Sequence, residues 1–279
     1  MPFVNVDDYK IYYEVKGDGI PLLLLEGLGY ATWMWKFQVP EFSKRFTMIM
    51  PDNRGVGQST PLRGVYSVEK FAGDSLSVVN FLGFEKFYVM GVSMGGFIAQ
   101  ELAAAAPDRI RGLILVSTSA GGKSSIPMPK EVFEQMQLTL PGESTRDKLI
   151  RTMRLAFTDH YPVANEEEFA SLIEHRMKSL QPPDQLMFQS LSSINFDRSS
   201  SNGNLNVPSL IVAGTADKVL PWLNSLILYK TLPRSSLILF KEQNHLLFIE
   251  RFSEFNRAVI DFVEMIEENR YSEFVKEVE

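Results

Sequence analysis

One twelve-residue stretch restricts the possible folds more than any other part of this chain: Lys86-Phe-Tyr-Val-Met-Gly91-Val-Ser93-Met-Gly95-Gly-Phe97. An apolar strand runs directly into Gly91-Val92-Ser93-Met94-Gly95, and a small-residue helix follows with no linker. Such an abrupt junction belongs to a helix that crosses over a parallel sheet. The turn is so tight that its central residue takes strained backbone geometry, and only small neighbours fit around it. This is the layout of a nucleophile elbow, which lifts the serine hydroxyl above the sheet edge. The next helix then aims its first amides at whatever that hydroxyl attacks. The plain alternative is a strand-to-helix turn that carries a serine by chance, since short glycine motifs are common.

The rest of the chain extends the pattern. Two strand-like runs open it, Phe3–Val6 and Tyr9–Val15, and Leu22-Leu23-Leu24-Leu25 reads as a strand buried on both faces. Strand Phe46–Met50, a helix Val68–Leu82 that Ser67 caps, the elbow strand Phe87–Met90 and a helix to Ala106 follow. Pro107 stops that last helix. Further strands are expected at Leu113–Val116, Leu210–Ala213 and Leu237–Phe240. Alternation of this kind means a mostly parallel sheet. It breaks between 119 and 206, where helical periodicity covers Glu131–Leu138, Arg146–Phe157, Glu166–Leu180 and Asp184–Leu191. We read a core of residues 1–118 and 207–279 with a helical cap, 119–206, inserted between turn-rich hinges. From Phe248 to Glu279 an amphipathic helix is expected to cover the sheet with Phe255, Val259, Phe262 and Ile266.

Bulk properties narrow the function. A net charge of −6 without a run of like charges argues against nucleic acid and anionic membranes as partners. With no cysteine, disulfides, thiolate metal sites and a cysteine nucleophile are all excluded. The first residues alternate like a strand, no leader is evident, and no apolar run approaches the ~18 residues of a membrane span. A cytoplasmic protein, monomer or homodimer, is the expectation.

A serine hydroxyl needs a base within hydrogen-bond reach. Of three histidines, His160 and His175 fall in the helical insert, and His175 between Glu174 and Arg176 reads as part of a solvated face. His245 follows the strand Leu237–Phe240, where sites on parallel sheets assemble. The carboxylate that orients such an imidazole is expected to be Asp217, after Leu210–Ala213. Closing a turn is its plainer role. The rival position after Leu113–Val116 offers Ser-Thr-Ser-Ala-Gly and no carboxylate. The order Ser93, Asp217, His245 is that expected of this arrangement. The oxyanion of acyl transfer needs two aimed donors, which the backbone N–H groups of Met94 and Leu28 would provide.

With these residues in place the chain resembles the α/β-hydrolase superfamily from about Phe3 to Phe262. Asp52-Asn53-Arg54-Gly55-Val56-Gly57-Gln58-Ser59, Gly214-Thr215-Ala216-Asp217 and Asn244-His245-Leu246 through Glu250 add to the resemblance. Met34-Trp35 with Gln38, Ser93-Met94-Gly95-Gly96 and Ser119-Ala120-Gly121 are similar to its carboxylesterase and enol-lactonase branch. The resemblance implies an α/β fold with an eight-stranded, mostly parallel sheet, a serine hydrolase mechanism, no cofactor and no metal. It also implies a structural role for Arg54. One departure stands out: the family usually has His-Gly where this chain has Glu26-Gly27. Ser93 at the elbow argues against dehalogenases and epoxide hydrolases, and Leu246 after the histidine against ring-cleavage C–C hydrolases.

The reading is a carboxylesterase for small-to-medium acyl esters, with a small-molecule ester or lactone as partner. An enol-lactonase-like or related C–C hydrolase is the alternative. A remote one is an NAD-binding oxidoreductase, from Gly27-Leu28-Gly29 and Asp52, although Thr32 stands at the third glycine position. A silent binding protein on the same fold would be expected to lack a member of the Ser93, Asp217, His245 set. Substrate contacts are expected from Trp33, Phe133, Met136 and Phe157, with Met128, Met153, Met177 and Met187 as further apolar lining or as plain packing. No basic clamp for a dicarboxylate is visible, which favours neutral esters.

Overall fold

The computed structural model describes residues 2–271. Eight strands, β1 (Phe3–Val6), β2 (Tyr9–Lys16), β3 (Ile20–Leu25), β4 (Phe46–Pro51), β5 (Phe87–Val92), β6 (Ile110–Val116), β7 (Ser209–Gly214) and β8 (Ser235–Phe240), form one sheet in the order β1-β2-β4-β3-β5-β6-β7-β8. Pairing is antiparallel for β1/β2 and β2/β4 and parallel from β4 to β8. The leucine run shows how the sheet separates two cores. Leu22 and Leu24 face one layer with Trp35, Phe42, Phe248 and Phe255, whereas Leu23 and Leu25 face the other with Phe71, Val78 and Ile98.

Six helices pack around the sheet: α1 (Val39–Phe42), α2 (Val68–Phe81), α3 (Met94–Ala105) and, after the insert, α9 (Leu223–Thr231), α10 (Leu247–Glu250) and α11 (Phe252–Glu267). Between β6 and β7 lie five more, α4 (Lys130–Gln137), α5 (Thr145–Arg154), α6 (Tyr161–Ala164), α7 (Glu166–Lys178) and α8 (Pro183–Ile194). This segment leaves and returns side by side: the Arg198 amide donates to the Ala120 carbonyl (2.8 Å) and the Gly122 amide to that of Phe196 (3.1 Å).

Several expectations need correction. Ser67 stands before α2, but its side chain makes no capping bond; its carbonyl accepts from the Lys70 and Phe71 amides instead. The helix expected to run to Phe157 ends at Arg154, and the amides of Leu155, Ala156 and Phe157 tighten into bonds to the residues three before them. The expected C-terminal helix is two, broken at Arg251; Phe255, Val259 and Phe262 are buried as foreseen, and residues 272–279 lie outside the described part. Helix α9 carries no clear period and was not foreseen.

Candidate active site

Ser93 is held at φ 55° and ψ −119°, the strained geometry demanded of an elbow. A methyl group on Gly91 would lie 2.1 Å from the Gly95 carbonyl oxygen, and one on Gly95 2.1 Å from that of Leu25. Both positions are therefore closed to any larger residue. The Ser93 amide donates to the Val116 carbonyl (2.9 Å), and its carbonyl accepts from the Thr118 hydroxyl (2.8 Å) and the Gly96 amide (2.9 Å). From Phe87 to Gln100 every residue is buried except Ser93.

Asp217 and His245 follow β7 and β8. Asp217 Oδ2 lies 2.8 Å from His245 Nδ1, and Oδ1 accepts from the amides of Val219 and Leu220, each at 2.8 Å. Both side chains are buried. The imidazole is thus fixed through Nδ1, which leaves Nε2 as its available nitrogen. Ser117, at the end of β6 between the elbow and these strands, donates its hydroxyl to the His245 carbonyl (3.0 Å). His160, at the start of α6, is exposed, and His175 is half-buried rather than on a fully solvated face. The His175 ring stacks on Trp33 at 5.6 Å, and burial with the nearby Lys36 and Lys178 charges pulls its pKa down.

Asn244 binds this region together. Its carbonyl oxygen accepts from the His245 amide (2.8 Å) and the Lys218 amide (3.0 Å), and its amino group donates to the carbonyls of Leu155 (3.0 Å) and Phe157 (2.6 Å). The Leu246 amide adds a bond to the Ala156 carbonyl (3.0 Å). A helix end leaves its last carbonyls without intrahelical partners, and here Asn244 and Leu246 take those of residues 155–157.

The loop after β3 turns at Gly27-Leu28-Gly29-Tyr30, with the Tyr30 amide on the Gly27 carbonyl (3.1 Å) and Gly29 at φ 70°, as the third position of a type II turn requires. A side chain on Gly27 would come 3.4 Å from Ser93 Cβ, so this turn and the elbow are in contact. Among the described residues neither the Leu28 nor the Met94 amide donates to another group. Glu26, just before the turn, is fully buried; Oε1 accepts from Trp35 Nε1 (3.0 Å), and Oε2 has no partner among the described residues. Burial, reinforced by the Asp52 carboxylate, pushes its pKa well above the ordinary carboxylate range. Asp52 is engaged by the amides of Thr32 and Gln58 (2.9 Å each), which leaves it no role toward a ribose.

A family model described as alpha/beta hydrolase fold matches residues 20–161. The chain belongs to this family. Among its relatives is the putative carbamate hydrolase RutD of Azorhizobium caulinodans, 29% identical over 239 residues, 84% of this chain and 87% of the relative. A thermophilic esterase from Thermogutta terrifontis is 26% identical with a TM-score of 0.76, over 95% of this chain and 97% of its own. Est816, described as an N-acyl homoserine lactone degrading enzyme, is 25% identical with a TM-score of 0.79, over 94% and 100%. Membership of this family speaks against the nicotinamide-binding alternative.

In this hydrolase the expected substrate contacts separate. Trp33 is half-buried against Tyr30 and His175 and donates to the Ser179 hydroxyl (2.8 Å). Phe157 is instead fully buried, stacked on Tyr161 and edge-on to Phe169, so its surface is used in packing. Phe133 and Met136 sit on α4, which has no buried residue, and Phe133 is 51% exposed. The surprise is Arg176, expected on a solvated face. Its guanidinium lies 4.5 Å over the Tyr30 ring, and Nη1 is buried with no partner among the described residues. Burial lowers its pKa. Arg54 keeps a structural role, with two 2.5 Å bonds to Asp74 and Tyr9 and Tyr66 over its guanidinium.

Proposed function

We propose that this protein is a serine hydrolase that cleaves carboxylic esters of small-to-medium acyl groups, with residues 119–206 acting as a cap. The observation that supports the reading is the 2.8 Å Asp217–His245 contact after β7 and β8, together with the strained backbone of the partly exposed Ser93 after β5 of the same sheet. His245 Nε2 takes the Ser93 proton as Oγ attacks the ester carbonyl. The Leu28 and Met94 amides receive the developing oxyanion. The protonated imidazole, stabilised by Asp217, passes its proton to the leaving alcohol. Water, deprotonated by the same nitrogen, then releases the acid and restores Ser93.

Ser93→Ala is expected to preserve the fold, read by circular dichroism, and to abolish p-nitrophenyl ester turnover. Retention of most of that activity eliminates the mechanism. A second reading, hydrolysis of a lactone or ester that also bears a carboxylate, is favoured by Arg176 next to the Leu28 turn, whose buried Nη1 has no partner among the described residues. Comparing a neutral ester with its ω-carboxylate analogue separates the two. A lower KM for the charged analogue, lost in Arg176→Met, supports the second.

A further inference from the structure

Helix α8 packs the wrong way round for an amphipathic helix. Its buried residues are Gln185, Gln189 and Ser192, whereas Met187, Leu191 and Ile194 are exposed. A buried polar face is tolerated only when it is hydrogen-bonded, and every one of these side chains reaches main chain of the core. Gln185 Oε1 accepts from the Leu62 amide (2.6 Å) and its Nε2 donates to the Leu62 carbonyl (3.2 Å). Ser192 donates to the Tyr66 carbonyl. Just before the helix, Gln181 Nε2 donates to the Gly55 carbonyl (2.6 Å). Gln189 is the member that touches the oxyanion turn: Oε1 accepts from the Gly29 amide (3.1 Å) and Nε2 donates to the Arg54 carbonyl (3.1 Å), with no exposure to solvent.

The bonded amide belongs to the central peptide of the Gly27–Tyr30 turn, the one whose orientation separates a type II turn from a type I turn. An acceptor fixed on the Gly29 N–H therefore holds the turn in one form and anchors the loop at the residue directly after Leu28. Besides the local Tyr30–Gly27 bond, the turn has this acceptor from a segment 160 residues away in the chain, so the brace on the central peptide holds only while α8 is docked. Apart from the half-buried Phe188, which packs on the core cluster, the seam consists of polar groups that water can satisfy on separation, unlike an apolar seam, which resists separation in proportion to its area.

We propose that Gln189 is a positioning residue for the oxyanion turn, and that through it the docking of α8 sets whether Leu28 is aligned for catalysis. The kinetic part rests on the serine hydrolase reading; the bracing of the turn does not. Gln189→Met keeps the length and removes both bonds, and Gln185→Met removes seam bonds that do not touch the turn. Hydrogen exchange of the peptide spanning 26–31 is expected to accelerate about tenfold or more in Gln189→Met and to stay as in the parent in Gln185→Met. Ester kcat is expected to fall roughly tenfold in Gln189→Met with KM nearly unchanged, short of the ~10²–10³ lost with a whole oxyanion donor. Unchanged exchange in Gln189→Met, or equal acceleration in both variants, overturns the brace. A looser turn with parental kcat overturns the link to catalysis. Should the parent turn over no ester at all, the hydrolase reading fails, and the exchange result still decides the brace.

Discussion

Glu26 departs from the family pattern, and its surroundings show what the departure entails. A carboxyl with one oxygen on Trp35 Nε1 and the other unpartnered among the described residues is far better buried neutral than charged. Its pKa is raised on folding, so above the ordinary carboxylate range the native state holds a proton that the unfolded chain has released. Its contribution to stability is therefore complete at low pH and is lost progressively as pH rises toward the folded pKa. Glu26→Gln keeps the shape and the acceptor for Trp35 but cannot ionise. Denaturant unfolding at a series of pH values from 5 to 9 is expected to show a variant whose advantage over the parent grows with pH. Parallel curves would mean that the parent carboxyl is charged when folded. The sequence reveals that Glu26 is unusual, but not that it is buried. That depends on Trp35, nine residues on, folding back over it.

At the scale of elements, Asn244 is where three segments are joined. Asn244→Ala would leave the Leu155 and Phe157 carbonyls and the His245 and Lys218 amides without their partner. At about 1–3 kcal/mol per unsatisfied buried group, offset where water enters, a loss of roughly 2–4 kcal/mol is expected in urea unfolding. Ester kcat is expected to fall more than KM rises, because the His245 backbone is freed. Asn244→Asp keeps the acceptor for both amides but turns an acceptor-only oxygen toward the Leu155 and Phe157 carbonyls, so it is expected to retain more kcat than alanine while losing at least as much stability. Equal loss in the two variants would place the important contact on the α5 side. The strand ends carrying Ser93, Asp217 and His245 are legible in the sequence because each follows an apolar run too short for anything but a buried strand. Contacts made by the insert are not legible. They are polar bonds between main-chain groups and side chains 87 to 160 residues apart, and neither period nor composition records them.

The whole molecule is held by two unlike seams. Around α5–α7 the insert shares the core of the sheet: Leu149, Met153, Phe157, Tyr161, Phe169, Leu172 and Ile173 lie in one cluster with Trp35, Phe248 and Phe255. Along α8 the attachment is mainly polar, a row of glutamines with Ser192, and one half-buried aromatic, Phe188. Burying a large apolar side chain is worth about 1.5–3 kcal/mol, so seven of them tie the insert to the core far more firmly than net hydrogen bonds of about 0.5–1.5 kcal/mol each. The insert therefore has no apolar core of its own to melt around, and it should unfold with the sheet. Calorimetry is expected to give one endotherm with van't Hoff and calorimetric enthalpies in agreement. Tryptophan fluorescence, to which Trp33 and Trp35 near the insert contribute along with Trp222, is expected to change together with far-ultraviolet circular dichroism. A fluorescence transition that precedes the loss of helix and strand signal would show the insert detaching as a separate unit, and the shared core would then count for less than its burial suggests.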